Sequence, residues 1–211
     1  MKLLIIGSGG REHALCLACN KSSKVHEIYC IPGNAGTDKI AKNYEVDIKN
    51  FKKIKEFVNK YNIDLVIVGP EQPLVDGIVD YLNENKIKVF GPNKIASQLE
   101  GSKTFTKELC KKYNIPTAEF GIFEEAESAN KFLEQCSLPI VIKADGLASG
   151  KGVYICDSKN KAIEAIQEIF NGKFGIAKKI LIEEFLDGEE MSFFIISDGE
   201  TYYPFGTAQD H

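Results

Sequence analysis

No apolar run in the sequence approaches the ~20 residues that a helix needs to span a bilayer, and the first residues lack a basic flank followed by a cleavage site. A helical membrane protein is therefore excluded. The six cysteines (16, 19, 30, 110, 136 and 156) show no framework spacing, so they read as reduced thiols of a cytoplasmic protein, not as the staples of a secreted scaffold. No basic stripe with interleaved aromatics occurs, which removes the electrostatic footprint of a nucleic-acid binder. Arginine is almost missing: of 26 basic residues only Arg11 is one. It lies in a glycine-rich turn, where its planar five-donor fork suits phosphate. A surface Arg in a Lys-biased composition is the bland alternative.

What is present describes an ordinary globular protein. The 211 residues are 44% apolar and 27% charged, enough for one large domain or two small ones and too apolar for disorder. Residues 1–100 carry 14 basic and 12 acidic groups, and the rest carry 12 and 18. Residues 2–6 form a short apolar run that ends in Gly7-Ser8-Gly9-Gly10, with helical material over 11–18 and further strand candidates at 27–31, 64–68 and 87–90. Phe51, Ile54, Val58 and Tyr61 share one helical face, and Leu74, Val75, Ile78, Val79 and Leu82 share another. Apolar strands alternating with amphipathic helices predict an α/β domain built on a doubly wound parallel sheet, with ligands at the carboxyl ends of its strands.

The pattern changes near residue 100. A helix over 102–112 is expected to turn Phe105, Leu109 and Cys110 inward, and two more helices are expected over 126–136 and 161–170. Strand candidates lie at 140–144, 153–156, 179–183, 192–197 and 201–205, with Asp198-Gly199 as a hairpin turn. This is an α+β unit on antiparallel strands.

Three segments carry chemistry. The turn Gly7-Ser8-Gly9-Gly10-Arg11-Glu12 has Glu where a dinucleotide fingerprint needs Gly or Ala, and the second strand ends in no acidic residue. A small phosphorylated ligand suits the helix N-terminus better than NAD, and a tight turn with no ligand remains the alternative. Loop 145–152 is glycine-rich and carries Lys151, but it has Asp145 and Gly152 where a Walker A motif needs Gly and Ser or Thr. It reads as a hairpin that can fold over phosphates while Lys143 points in, or as an ordinary mobile hairpin. The acidic run 183–190 follows an apolar strand and includes Phe185 and Leu186, so its backbone can meet a purine edge; a solvated turn is the alternative. Cys16-x-x-Cys19 has no second pair and reads as core, not as metal or redox chemistry.

Taken together, these segments resemble phosphoribosylamine–glycine ligases (glycinamide ribonucleotide synthetases) of the ATP-grasp superfamily. The resemblance rests on Gly7-Ser8-Gly9-Gly10-Arg11-Glu12-His13-Ala14, Pro32-Gly33-Asn34-Ala35-Gly36-Thr37, Gly69-Pro70-Glu71-Gln72-Pro73-Leu74 and Ser102-Lys103-Thr104-Phe105. It continues through Ile115-Pro116-Thr117-Ala118, the stretch from Val141 to Val153, the run from Glu183 to Glu190, and Ala208-Gln209-Asp210-His211. It implies that Lys103 and Lys143 hold nucleotide phosphates and that Asp145, Gly146, Ser149, Gly150, Lys151 and Gly152 belong to the covering loop. Glu183, Glu184, Phe185 and Leu186 then surround adenine and Glu190 meets the ribose. Gly9, Gly10, Arg11, Glu71 and Asp210 border the phosphoribosylamine site.

The implied chemistry joins glycine to 5-phosphoribosylamine through glycyl phosphate, with ATP as co-substrate and Mg2+ or Mn2+ bound by residues beyond 211. No residue here is assigned to metal. The expected partners are these small molecules, with no nucleic acid and no membrane, and with fusion to or association with other purine-pathway enzymes. The expected organisation is a phosphoribosylamine-side domain over 1–100, a nucleotide lid over 101–190 and the start of a further ATP-grasp lobe over 191–211. The chain is expected to be an N-terminal fragment without turnover of its own. Another ATP-grasp carboxylate–amine ligase and a non-catalytic nucleotide-binding fragment are the alternatives.

Overall fold

The computed structural model describes residues 1–147, 151–175 and 178–209. Ser149, Gly150 and Asp210, among the expected site residues, lie outside the described residues. The chain begins with five parallel strands in the order β3-β2-β1-β4-β5: β1 Lys2–Gly7, β2 Glu27–Pro32, β3 Lys42–Asn43, β4 Leu65–Val68 and β5 Val89–Phe90. The three interior strands, β2, β1 and β4, are flanked on both sides and carry near-continuous apolar sequence. Alternation then sends successive side chains to opposite faces. Leu4, Ile6, Tyr29 and Ile31 pack on α2 (Phe51–Tyr61) and α4 (Ile78–Glu84), while Ile5, Ile28 and Cys30 meet Cys16 of α1 (Gly10–Asn20). Helices on both faces make the sheet doubly wound, as the apolar runs imply, and place the β1 and β4 ends side by side.

The apolar stripe from Leu74 to Leu82 is not one helix. It divides into α3 (Glu71–Asp76) and α4 at Gly77, whose φ of +96° is left-handed and closes α3 by donating its N–H to the carbonyls of Pro73 (3.1 Å) and Leu74 (3.0 Å). Stripe periodicity does not register such a break, because helical spacing resumes after it.

After α5 (Gln98–Gly101), Ser102 caps α6 (Lys103–Tyr113) by accepting from the Phe105 N–H at 3.1 Å. A second sheet follows, fully antiparallel, in the order β6-β9-β7-β8: β6 Phe120–Phe123, β9 Ile180–Glu184, β7 Ile140–Ala144 and β8 Val153–Cys156. One face packs on α7 (Ala126–Leu133) and α8 (Lys159–Phe170) through Ile140, Ile142, Ala144, Ile180 and Ile182. The other face carries Lys143, Glu183, Val153 and Ile155.

Contrary to expectation, Phe105, Leu109 and Cys110 of α6 are only half-buried. Thr104 and Lys107 are the buried residues, because the helix turns its polar side toward the loop base and Glu183. A hairpin of β10 (Ser192–Ser197) and β11 (Tyr202–Ala208) completes the described chain, turning at Gly199 with φ +97°. Its aromatic and aliphatic side chains are exposed on both faces. No helix among the described residues is long and apolar enough to cross a membrane.

Ile142 is fully buried at the centre of the second sheet. Ile142→Ala should lower stability by about 2–5 kcal/mol, read as a lower denaturant midpoint. A loss below about 1 kcal/mol would mean that the sheet collapses into the space.

Candidate functional site

Two clusters form where loops leave the strand ends. The first lies at the carboxyl ends of β1 and β4. Gly7–Glu12, Ile48, Pro70 and Glu71 line a cavity of about 330 Å³. Glu12 governs the loop's shape. Its buried carboxylate accepts the Gly9 N–H at 2.5 Å, closing the first turn of α1 on itself. A methyl group at Gly7 or Gly69 would run into that carboxyl, so both glycines leave room for it. The residue that spoils the dinucleotide fingerprint thus fills the crevice between the two strand ends. At the rim Arg11 donates to Glu71 across the pocket. That guanidinium holds the Glu71 carboxyl below its usual range, and Glu71 in turn raises Arg11. A larger hollow of about 680 Å³, lined by Asn62, Asp64 and Lys88 among others, lies at the amino ends of the strands, opposite to where parallel sheets take ligands.

The second cluster surrounds the base of loop 145–152. Ser102 Oγ donates to the Asp145 carboxylate at 3.2 Å, which also accepts the Thr104 N–H at 3.1 Å and the Gly146 N–H at 3.0 Å. Lys103 Nζ donates to the Gly146 carbonyl at 2.9 Å. Asp145 therefore ties the loop's first residues to the N-terminus of α6, and Lys103 stands beside them. Lys151 is exposed and Gly152 buried, its carbonyl accepting the Ala144 N–H at 2.8 Å.

On the sheet beneath, Glu183 is 4% exposed and sits between two ammonium groups, Lys143 Nζ at 2.9 Å and Lys107 Nζ at 3.2 Å. Lys107 is further satisfied by Thr117 Oγ1 at 2.7 Å and the Ala118 carbonyl at 3.2 Å. One carboxylate thus faces two cations, and the surplus positive charge lies on the side of Lys143, the more exposed of the two. Around Lys143 the strand face is apolar and open at Val153 and Ile155. Such a surface suits a flat apolar ring with an anion beside it.

The structure thus gathers Gly9, Gly10, Arg11 and Glu71 at one pocket, and Lys103, Lys143, Asp145, Gly146 and Glu183 around the loop base. Glu184 ends β9, and Phe185, Leu186 and Glu190 follow it; all four are exposed. Sequence reading overlooked Lys107, which passes for one more surface lysine; its spacing of four from Lys103 on α6, facing an acid in a later strand, was the available signal. Cys16 is fully buried in the first core, where hydrogen bonding to Cys30 and burial push its thiol up. No grouping of three or more His, Cys, Asp or Glu able to hold a metal occurs among the described residues.

Comparison with known proteins gives one consistent result. Residues 1–100 match the family described as phosphoribosylglycinamide synthetase, N domain, and residues 101–211 match its ATP-grasp (A) domain. The chain is similar to phosphoribosylamine–glycine ligases of Clostridium acetobutylicum (49% identical, 100% of this chain and 51% of that protein) and Mesorhizobium japonicum (50% identical, 100% and 50%). It spans about half the length of these curated relatives. Among solved structures, that of the Thermotoga maritima phosphoribosylamine–glycine ligase superposes with a TM-score of 0.80 at 35% identity, over 97% of this chain and 49% of that one. An ADP complex of N5-carboxyaminoimidazole ribonucleotide synthetase has a TM-score of 0.76 at 20% identity, over 100% of this chain and 54% of that one, a likeness of fold alone.

Two outcomes follow from the charge pairs. Arg11→Ala should return the Glu71 midpoint toward the ordinary value of about 4.3, seen by NMR titration of its side chain. A folded midpoint below the unfolded one stabilises the chain above about pH 4.3, and that contribution fades as pH falls through the lower midpoint; an unmoved midpoint would disprove the pair. Glu183→Gln leaves two half-buried or buried ammonium groups facing a neutral amide, and should cost about 3–5 kcal/mol of unfolding free energy. Denaturant melting showing less than about 1 kcal/mol would mean the lysines find other partners.

Proposed function

The chain belongs to the phosphoribosylglycinamide synthetase family, and on that footing we propose that it supplies the phosphoribosylamine pocket and the nucleotide lid of a ligase that joins glycine to 5-phosphoribosylamine. In this reaction the glycine carboxylate takes the γ-phosphoryl of ATP, giving glycyl phosphate and ADP. The amine then attacks the acyl carbon, the bond to phosphate breaks, and glycinamide ribonucleotide and phosphate leave with the amine's proton released to solvent. This is a step of purine biosynthesis, in a cytoplasmic enzyme. Residues 1–100 form the phosphoribosylamine side, 101–190 the lid, and 191–211 the start of the next ATP-grasp lobe.

The observation that carries the proposal is the placing of Lys103 and Lys143 at the base of loop 145–152, with Lys143 on an open apolar strand face. Phosphoryl transfer asks a protein mainly for positioning and charge neutralisation. Lys143 can swing toward a phosphate without stranding Glu183, because Lys107 remains on that carboxylate. Adenine lies against the segment from Glu183 to Leu186 beside this apolar face, and Glu190 meets the ribose. Loop 145–152, including Ser149, Gly150, Lys151 and Gly152, folds over the phosphates and excludes water from the acyl phosphate.

At the other site the amide of Gly10 and the guanidinium of Arg11 receive the sugar phosphate beside Gly9, whose own N–H stays on Glu12; Glu71 receives ribose hydroxyls and Asp210 borders the same pocket. Mg2+ or Mn2+ would neutralise the ATP phosphates. The family resemblance assigns the ligands of such an ion to positions beyond residue 211. Coverage of about half of each relative and the uncovered hairpin both support the reading of an N-terminal portion.

The test is ADP release by the full-length polypeptide of the same gene, with the 211-residue chain alongside. ADP should form only when phosphoribosylamine and glycine are both present, and the short chain should be silent. Lys143→Ala should weaken ATP binding and slow phosphoryl transfer by about 10²–10³-fold. ADP release indifferent to both co-substrates would sink the substrate assignment, and unchanged ATP affinity and rate would sink the role of Lys143.

A further inference from the structure

The segment after β2 contributes more to the first pocket than its place outside the cavity lining implies. The Asn34 side chain bonds in two directions. Its Oδ1 accepts from the Gly36 N–H at 2.7 Å and the Thr37 N–H at 3.0 Å, which folds the turn on itself. Its Nδ2 donates outward to the carbonyls of Ser8 (2.8 Å) and Gly9 (3.2 Å), in the glycine loop after β1. The amide orientation is settled by these partners: the opposite one would set an NH2 against two N–H groups and an oxygen against two carbonyls.

The turn itself is rigid. The buried Thr37 hydroxyl accepts the Asn34 N–H at 2.8 Å and donates to Asn43 Oδ1 at 2.9 Å, while Asn43 Nδ2 donates to the Asn34 carbonyl at 2.8 Å. Asn43 belongs to β3, so the clamp is anchored in the sheet.

We propose that Asn34 is a positioning residue for the phosphorylated amine: it pins the carbonyls of Ser8 and Gly9 to one side, so that the Gly10 N–H, opposite the Gly9 carbonyl across its trans peptide plane, and Arg11 stay turned toward the pocket. Glu12 holds the Ser8–Gly9 peptide plane by its N–H and Asn34 holds it by its carbonyl; with the second anchor lost, glycine permits these planes to turn, and a carbonyl flipped into the pocket would repel the phosphate. Among the described residues the Gly9 carbonyl also accepts the His13 N–H at 3.2 Å, whereas the Ser8 carbonyl has Asn34 as its partner. The inference rests on reading the pocket as the phosphoribosylamine site, but the clamp can be measured without that reading.

Two substitutions separate the halves of the side chain. Asn34→Asp keeps the oxygen that folds the turn and loses the donations to the loop, whereas Asn34→Ala loses both. In the 211-residue chain, amide exchange of Gly9 and His13 should quicken about tenfold in both variants, while the amides of Gly36 and Thr37 quicken only in Asn34→Ala. Ribose 5-phosphate, the stable probe, should bind about tenfold more weakly to Asn34→Ala, with the melting temperature of the second domain's core unchanged. In the full-length enzyme Asn34→Ala should raise KM for phosphoribosylamine about tenfold, with KM for ATP unchanged and kcat within about twofold.

Unchanged exchange at Gly9 and His13 in Asn34→Asp overturns the clamp. Equal increases in KM for ATP and for phosphoribosylamine overturn the positioning role in favour of general destabilisation. If the unaltered chain does not bind ribose 5-phosphate while exchange behaves as expected, the clamp stands and the substrate reading of the pocket falls.

Discussion

A carboxylate buried between two ammonium groups sets the conditions for the second half of this molecule. Glu183 is enclosed on β9, where an unpaired charge would cost several kcal/mol, so Lys107 and Lys143 must both come to it from separate elements. Their convergence fixes α6 against the sheet, and α6 in turn carries Ser102, Lys103 and Thr104 to Asp145 at the base of the loop. The loop's first residues are therefore held by the same helix whose buried lysine satisfies the acid. One electrostatic constraint links strand, helix and loop, and it leaves a positive excess on the side of the sheet that stays open.

How far this arrangement could be read beforehand differs between the two halves. In the first, apolar runs and helical stripes correspond to local physics, because burial on both sheet faces demands continuous hydrophobicity, and four of the five strands fall where those runs lie; the edge strand β3, Lys42–Asn43, has no such run and is a strand only by pairing with β2. The break at Gly77 escaped because a single left-handed residue interrupts a helix without disturbing the spacing of its apolar positions. In the second half the inward face of α6 was misjudged for a specific reason. Burial there is decided by a carboxylate some 80 positions later in sequence, and a pattern that counts only apolar residues cannot find a helix whose buried side is Thr104 and Lys107.

The site residues divide along the same line. Gly9, Arg11, Lys103 and Lys143 stand in segments that resemble the family's motifs, and the structure brings the first two to one pocket and the last two to the base of loop 145–152. Asn34 and Lys107 were not singled out, since each looks ordinary in its own segment and acquires meaning only through partners far along the chain: the carbonyls of Ser8 and Gly9, and the carboxylate of Glu183. The strand β6, Phe120–Phe123, was missed for a related reason. It is only four residues long, and its pairing with β9, not its composition, makes it a strand.

Both clusters use a carboxylate to hold a cation in place, and the difference between them follows from burial. Arg11 and Glu71 are largely in solvent, with side-chain exposures of 74% and 38%, so exchanging this pairing for a ligand's phosphate costs little: water solvates whichever partner is released. Glu183 has no such access, and a Lys143 drawn away toward phosphate would leave it uncompensated. Lys107 removes that penalty by staying, its ammonium also held by Thr117 and Ala118. The exposed pair needs no third member and the buried one does. A charge that must move during a ligand's arrival can be held by a buried counter-ion only if a second, stationary charge remains behind.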